Sequence, residues 1–169
     1  MPTDPSLQFD PIAEARRHWA EHGWEAAAPG MAALTSIMRV QQILLQRVES
    51  VLRPLGLTFA RYELLTLLSF SRTGSLPLGK IGVRLQVHAA SVTNAVDRLE
   101  REGLVERVPH DNDGRVTLAQ LTDKGRALAT EATALLNEQV FEQLGISESD
   151  TKALYDLLAQ VRRSAGDYA

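Results

Sequence analysis

Residues 78–126 read LGKIGVRLQVHAASVTNAVDRLEREGLVERVPHDNDGRVTLAQLTDKGR, and this stretch decides the architecture. Leu78–Leu85 and His88–Glu102 each carry helical spacing, with only a tight turn between them. On the second, Val92, Val96 and Leu99 form one apolar stripe, and Gly103 follows at the position where helices end left-handed. Leu104–Val108 then alternates with period two, as does Val116–Leu121 less cleanly. Asp111-Asn112-Asp113-Gly114 between them is dense in turn formers, so the pair predicts a β-hairpin. Two helices at a tight turn followed directly by a hairpin describe a winged helix-turn-helix.

Working outward, Asp10-Pro11 reads as an N-cap and first-turn proline, opening a short helix through Ile12, Ala15, Arg16 and Trp19. Gly23 and Pro29-Gly30 break the pattern. From Met31 to Leu52 apolar residues recur with helical spacing, until Pro54 and Gly56 stop them. Thr58 caps a helix carrying Tyr62, Leu64, Leu65, Leu67 and Leu68. Thr122 caps a long helix from Asp123 to about Leu144; Gly145 breaks it, and Ser147-Glu148-Ser149-Asp150 opens a last helix to about Arg163. The expected fold class is mainly α (α+β): a winged helix-turn-helix with flanking N- and C-terminal dimerisation helices. Its expected segments are an N-terminal extension 1–30, a dimerisation helix 31–57, a DNA-binding lobe 58–126 and C-terminal dimerisation helices 127–169. Leu128, Ala132, Leu135, Leu136, Phe141, Leu154, Leu157, Leu158 and Val161 make the flanking helices too apolar to stand alone, which predicts that a second copy covers them.

A chain of 169 residues with 44% hydrophobic and 23% charged residues has the composition of one globular unit. No 18-residue apolar run suggests a membrane span, and Met1-Pro-Thr-Asp-Pro-Ser lacks the start of a secretory signal, so the expected location is cytoplasmic. The absence of cysteine excludes disulfides, thiolate metal sites and thiol nucleophiles. The net charge of −3 hides a gradient: residues 1–77 are neutral, 78–126 carry +1 and 127–169 carry −4. Any contact with a polyanion therefore falls in the middle third, because only charge near the contact acts through physiological salt.

The VTNAVDRLEREGLVER block, the Asp113-Gly114-Arg115 wing and the Leu121-Thr122-Asp123-Lys124-Gly125-Arg126 start of the long helix closely resemble MarR-family transcriptional regulators. The resemblance covers about residues 30–165. Trp19, twelve residues before Met31, is similar to an N-terminally extended subgroup that includes urate-responsive and PecS-type regulators. What the resemblance implies is a homodimer whose terminal helices intertwine and whose two winged helices bind successive major grooves of a pseudo-palindromic double-stranded DNA operator. It also implies a small anionic, often aromatic, effector that relieves repression.

The second helix can also be read as a wheel. Val92, Val96 and Leu99 inward leave Ala90, Thr93, Asn94 and Asp97 outward, with Ser91 and Arg98 on the flank. Small polar residues near a helix N-terminus suit insertion into the major groove, where Asn reads adenine, Thr offers a hydroxyl and a methyl, and Arg takes guanine or phosphate. The blander alternative is a solvated helix face. His88 stands where the family usually has a capping Ser, and can place an imidazole on a phosphate. Arg115 at the hairpin tip is a minor-groove probe, or else a surface cation paired with Asp111 or Asp113. The family's wing often has two arginines; Gly114 occupies the first position. Lys80, Arg84 and Arg98 are backbone-contact candidates.

For the effector, the subgroup resemblance assigns Trp19, Glu63 and Arg107 to the pocket, with Arg39 and Tyr62 added by position. Ala95 replaces the subgroup's second pocket arginine, which removes a charge-assisted contact from urate. An aromatic acid or its coenzyme A thioester fits the remaining residues at least as well. Core packing is the competing account of Trp19 and Tyr62.

Two motifs fail on context. His18-Trp-Ala-Glu21-His22 spells a zinc-peptidase pattern, but Gly23 follows at once and no third ligand is identifiable. Gly74 to Lys80 resembles a phosphate loop, yet Ile81 replaces the Mg²⁺-binding hydroxyl residue and the preceding segment reads as helix. No metal, cofactor or catalytic set is expected, so the chain is read as a non-enzyme. A winged-helix protein-interaction scaffold without specific DNA binding is the alternative function.

Overall fold

The computed structural model describes residues 7–110 and 113–168. The turn expected at Asp111 and Asn112, the N-terminal Met1–Ser6 and Ala169 lie outside the described residues. The chain forms two compact units whose boundary falls between Arg47 and Val48.

The first unit holds α1 (Pro11–Glu21) and most of α2 (Ala28–Leu52). Asp10 caps α1 by accepting the Ile12 N–H at 2.9 Å, with Pro11 in the first turn where its missing donor costs nothing. After Gly23, at φ +81°, Trp24 returns against α1. Its ring meets Trp19 edge-on at 5.3 Å and stacks on His22 at 5.6 Å. The sequence places the start of α2 at Met31, whereas the helix begins at Ala28. Pro29 and Gly30 do not break it because they fall in its first turn, where no intrahelical N–H is required.

The second unit contains α3 (Phe59–Ser69), β1 (Ser75–Pro77), α4 (Leu78–Leu85), α5 (Ala89–Arg101), β2 (Val105–His110), β3 (Asp113–Leu121), α6 (Asp123–Leu136) and α7 (Glu148–Ser164). A 3₁₀ turn at Arg53–Leu55 and left-handed Gly56 end α2, and Thr58 caps α3. The hairpin acquires a third strand that the sequence reading lacks. Ser75–Pro77 pairs antiparallel with Gln120–Leu118, giving the order β1-β3-β2. Three residues ending in proline are too short for a periodic signal, and only pairing with β3 makes them a strand.

One core unites the end of α2, the helices α3 to α6 and the three strands, while α7 contributes no buried residue. Leu52, Leu65, Leu68, Ile81, Val96, Leu99 and Leu136 are completely buried, each worth about 1.5–3 kcal/mol of transfer free energy. Ala132 and Leu136 therefore belong to this chain's own core, packed with α3, and not to a partner surface as the sequence reading has it. The long helix also ends early, at Leu136, and a π-helical turn over Asn137–Phe141 replaces its last stretch. Phe141, Leu154, Leu157 and Val161 are exposed, as are Leu34, Ile37 and Met38 on α2. Among the described residues no helix is long and apolar enough to cross a membrane.

Candidate nucleic-acid interface

The turn between α4 and α5 is set by Gln86, whose φ of +54° makes it the left-handed residue that ends α4. His88 then caps α5: its Nδ1 accepts the Ala90 N–H at 3.2 Å. An accepting Nδ1 leaves the ring's proton on Nε2, a donor on an exposed side chain. The expected span of α5 shortens accordingly to Ala89–Arg101, with His88 and Glu102 as its caps.

The helix presents the face the sequence predicts. Val92, Val96 and Leu99 are buried, and Ser91, Thr93, Asn94 and Arg98 are exposed. Thr93 donates its hydroxyl to the Ala89 carbonyl at 3.1 Å, which turns its methyl and a lone pair outward. The Ser91 hydroxyl and the Asn94 amide engage no partner among the described residues. Lys80 and Arg84 are exposed on α4. Arg115, on β3, is exposed; its backbone N–H donates to Asp113 Oδ1 at 3.0 Å, so Asp113 shapes the backbone there and takes no bond from the guanidinium.

Asp97 does not point freely outward. Its Oδ1 accepts from Nη2 of Arg107, while Glu100 takes Nη1 with one oxygen and the Arg107 backbone N–H with the other at 3.1 Å. The Asp97 hydrogen bond, reinforced by Glu100, holds Arg107 above its ordinary range and permanently charged. This clamp fastens β2 to the middle of α5. It is the feature sequence reasoning missed, although Asp97 and Glu100 sit three apart on one helical face and Arg107 follows the Gly103 turn. At the far end, Lys124 donates to the Glu102 carbonyl at 2.8 Å, and the Thr122 hydroxyl lies within bonding reach of the Gly103 and Leu104 carbonyls. The first bond satisfies a carbonyl that the end of a helix leaves open, and the others tie the cap of α6 to the turn after α5.

The expected effector residues are divided between the two units. Trp19 and Arg39 lie in the first, the latter exposed beside Gln42 Oε1 at 3.4 Å. Tyr62 is 6% exposed and donates to Thr133 Oγ1 at 3.1 Å, the Thr133 hydroxyl itself donating to Ala129. Glu63, beside it on α3, is partly buried, and desolvation pushes its carboxyl above the usual range. One turn on, the buried Thr66 hydroxyl oxygen has no hydrogen-bond partner among the described residues. Arg107 is held in the clamp on α5. In the first unit, His18 shares a bond with Glu21 at 3.0 Å and His22 Nδ1 donates to the His18 carbonyl at 2.8 Å, so each spends a ring nitrogen within α1.

Residues 57–117, running from the start of α3 into β3, match the MarR family model. The crystal structure of Sco5413, a MarR family transcriptional regulator from Streptomyces coelicolor, superposes with a TM-score of 0.75 at 51% identity, covering 83% of this chain and 97% of that one. A cysteine-to-serine mutant of Escherichia coli MarR, complexed with operator DNA, superposes at 0.70 with 26% identity over 75% of this chain and 91% of that one. CouR from Rhodococcus jostii, bound to p-coumaroyl-CoA, gives 0.65 at 25% identity, over 74% and 87%. Against the HTH-type transcriptional regulator YhbI of Bacillus subtilis, identity is 31% over 60% of this chain, which spans 66% of that relative's length. The sequence motifs, the winged helix and these likenesses agree: the chain belongs to the MarR family of winged helix-turn-helix transcriptional regulators.

Proposed function

We propose that the chain is a homodimeric, sequence-specific DNA-binding regulator of the cytoplasm, a repressor released by a small anionic aromatic compound or its coenzyme A thioester. The observation that carries the DNA-binding part is the exposed first half of α5. Ser91, Thr93 and Asn94 stand clear of the core there, with His88 at the cap and Arg115 on the wing. Small donors and acceptors on a helix of this placement match the edges of bases in a major groove. Lys80, Arg84 and Arg98 supply charge for phosphates. The lobe 58–126 thus reads a half-site, and the exposed apolar faces of α2 and α7 supply the dimer contacts that give the operator its pseudo-palindrome. The complex of Escherichia coli MarR with operator DNA supports the same reading.

The effector part is supported by Glu63 and Thr66, two polar groups on one face of α3 that have no partners among the described residues to offset their burial. Trp19, Arg39, Tyr62 and Arg107 stay with them as candidate effector residues. Desolvation favours the neutral form of the Glu63 carboxyl, which lessens the repulsion an anionic ligand meets beside it. CouR, which binds p-coumaroyl-CoA, makes an aromatic acyl thioester the first class to test.

The experiment is fluorescence anisotropy with DNA from upstream of the chain's own gene, against a scrambled duplex, at several salt concentrations, with and without aromatic acids and their coenzyme A thioesters. The expected result is preference for the native duplex, lost on adding one compound, with Arg115→Ala lowering the salt slope by about 0.9. Equal weak binding to both duplexes, unchanged by Arg115→Ala, favours a protein-interaction scaffold instead.

A further inference from the structure

The C-terminal half of α5 carries a charge arrangement that base reading does not use. Arg61 of α3 and Arg98, Arg101 and Glu102 at the end of α5 line a cavity of about 420 Å³. Arg61 is fully committed: it donates to Glu102 at 2.8 Å, to the Gly56 carbonyl and, at 3.5 Å, to Thr58 Oγ1, and its side chain is only 13% exposed. Arg61 and Glu102 therefore neutralise each other and tie the start of α3 to the end of α5. Arg101 gives its Nε–H to the Asp97 carbonyl at 3.1 Å, which leaves both terminal amino groups available. Arg98 engages no partner among the described residues. Two uncompensated guanidinium charges thus stand on walls held by an ion pair. The negative end of the helix dipole favours cations here, and beyond the Arg101 Nε–H it takes up no donor of either guanidinium among the described residues.

Ser91, Asn94, Arg98 and Arg101 follow at steps of three, four and three, so they share one face of α5. Ten residues at 1.5 Å rise place Arg101 about 15 Å beyond Ser91 along the axis. A major groove is about 12 Å wide. A helix that has its first turns among base edges and runs across the groove brings its last turn to the rim, where the phosphates stand.

We infer that this cavity is a phosphate seat, in which Arg98 and Arg101 clamp one backbone phosphate of the bound duplex at the flank of each half-site. Arg61 is a positioning residue that acts through Glu102. The seat rests on the DNA-binding reading above and adds Arg101 and Arg61 to it.

The test uses the full chain and a duplex that the wild type selects from a randomised library. Anisotropy titrations at three salt concentrations compare the wild type with Arg98→Ala/Arg101→Ala, Arg61→Gln, Arg61→Lys and Arg115→Ala. The seat predicts about tenfold weaker binding or more for the double variant, and a salt slope lower by about 0.9. It also predicts one flanking position where a methylphosphonate weakens the wild type and leaves the double variant unchanged. Arg61→Gln should weaken binding without lowering the slope, with partial rescue by Arg61→Lys, which keeps the pair with Glu102. A wild-type slope in the double variant, or methylphosphonates that cost both proteins equally at every position, overturns the seat. If Arg115→Ala loses affinity in that case, the DNA-binding reading stands without it; a wild type that selects no duplex overturns both. Inorganic pyrophosphate, followed by the arginine side-chain NMR signals, separates the remaining source. Shifts at Arg98 and Arg101 with an unchanged DNA slope assign the cavity to a free phosphate compound, and the backbone seat falls.

Discussion

Gly125, in the first turn of α6, lies so close to Leu104 at the start of the wing that a Cβ on it would stand 2.0 Å from the Leu104 carbonyl oxygen. That oxygen already accepts the Thr122 N–H at 3.2 Å and has the Thr122 hydroxyl at 3.1 Å. Leu104 itself is 2% exposed. The junction of α5, the wing and α6 is therefore closed by backbone packed on backbone, with no room for either side to withdraw.

Gly125→Ala should destabilise the chain by about 3 kcal/mol, because the methyl must displace a fixed peptide and not a pliable side chain. Urea unfolding at constant protein concentration measures it. A loss below about 1 kcal/mol would mean that the junction relaxes.

The clamp of Arg107 on Asp97 and Glu100 should matter more for DNA affinity than for stability. All three side chains keep some solvent contact, so a double-mutant cycle of Arg107→Met with Asp97→Asn should give about 1 kcal/mol of coupling in unfolding free energy. The same two substitutions should weaken duplex binding non-additively, since each frees α5 from the wing. Additive effects on binding would show that the clamp does not position the helix.

Glu63 links the fold to pH. Burial raises its carboxyl pKa in the folded chain above the unfolded value, so the folded state holds the proton more tightly. Its contribution to stability is then greatest below the unfolded pKa and falls as pH rises through the interval up to the folded one. Glu63→Gln should remove that dependence and raise stability slightly at neutral pH, by less than about 1 kcal/mol given the residue's exposure. Thermal melts of both proteins between pH 4 and 8 (a range on the order of the carboxyl window) provide the check. Parallel pH profiles would exclude Glu63 as their source.

Leu154, Leu157 and Val161 are 42%, 60% and 57% exposed on one stripe of α7, a helix with no buried residue of its own. Leu157→Glu should convert the proposed dimer to monomer in sedimentation velocity without changing the core around α3 and α6. A wild-type sedimentation coefficient for this variant would place the dimer contacts elsewhere.

Much of the fold is legible residue by residue. The caps Asp10, Thr58, Thr122 and Ser147 each accept the backbone N–H their type predicts, and Gly103 is left-handed where a helix must end, whereas the cap at His88 is seen only in the structure. Local chemistry suffices there because a cap acts within three residues of itself. The exposed face of α5 is legible for a related reason: a 3.6-residue period with Val92, Val96 and Leu99 buried leaves only one assignment for Ser91, Thr93 and Asn94.

The remainder depends on partners distant in sequence. Ser75–Pro77 is a strand only because β3 lies beside it, and Leu136 is core and not interface only because α3 covers it. Arg107 and Arg61 look alike as isolated cations. Tertiary structure gives the first to Asp97 and Glu100 and the second to Glu102, which leaves Arg98 and Arg101 as the charges turned outward. Sequence by itself determined most of the helices, their caps and the exposed face of α5, since periodicity and capping are local. Only the tertiary structure decided which charges are spent inside the chain, because an ion pair is chosen by proximity in space and a sequence records only proximity along the chain.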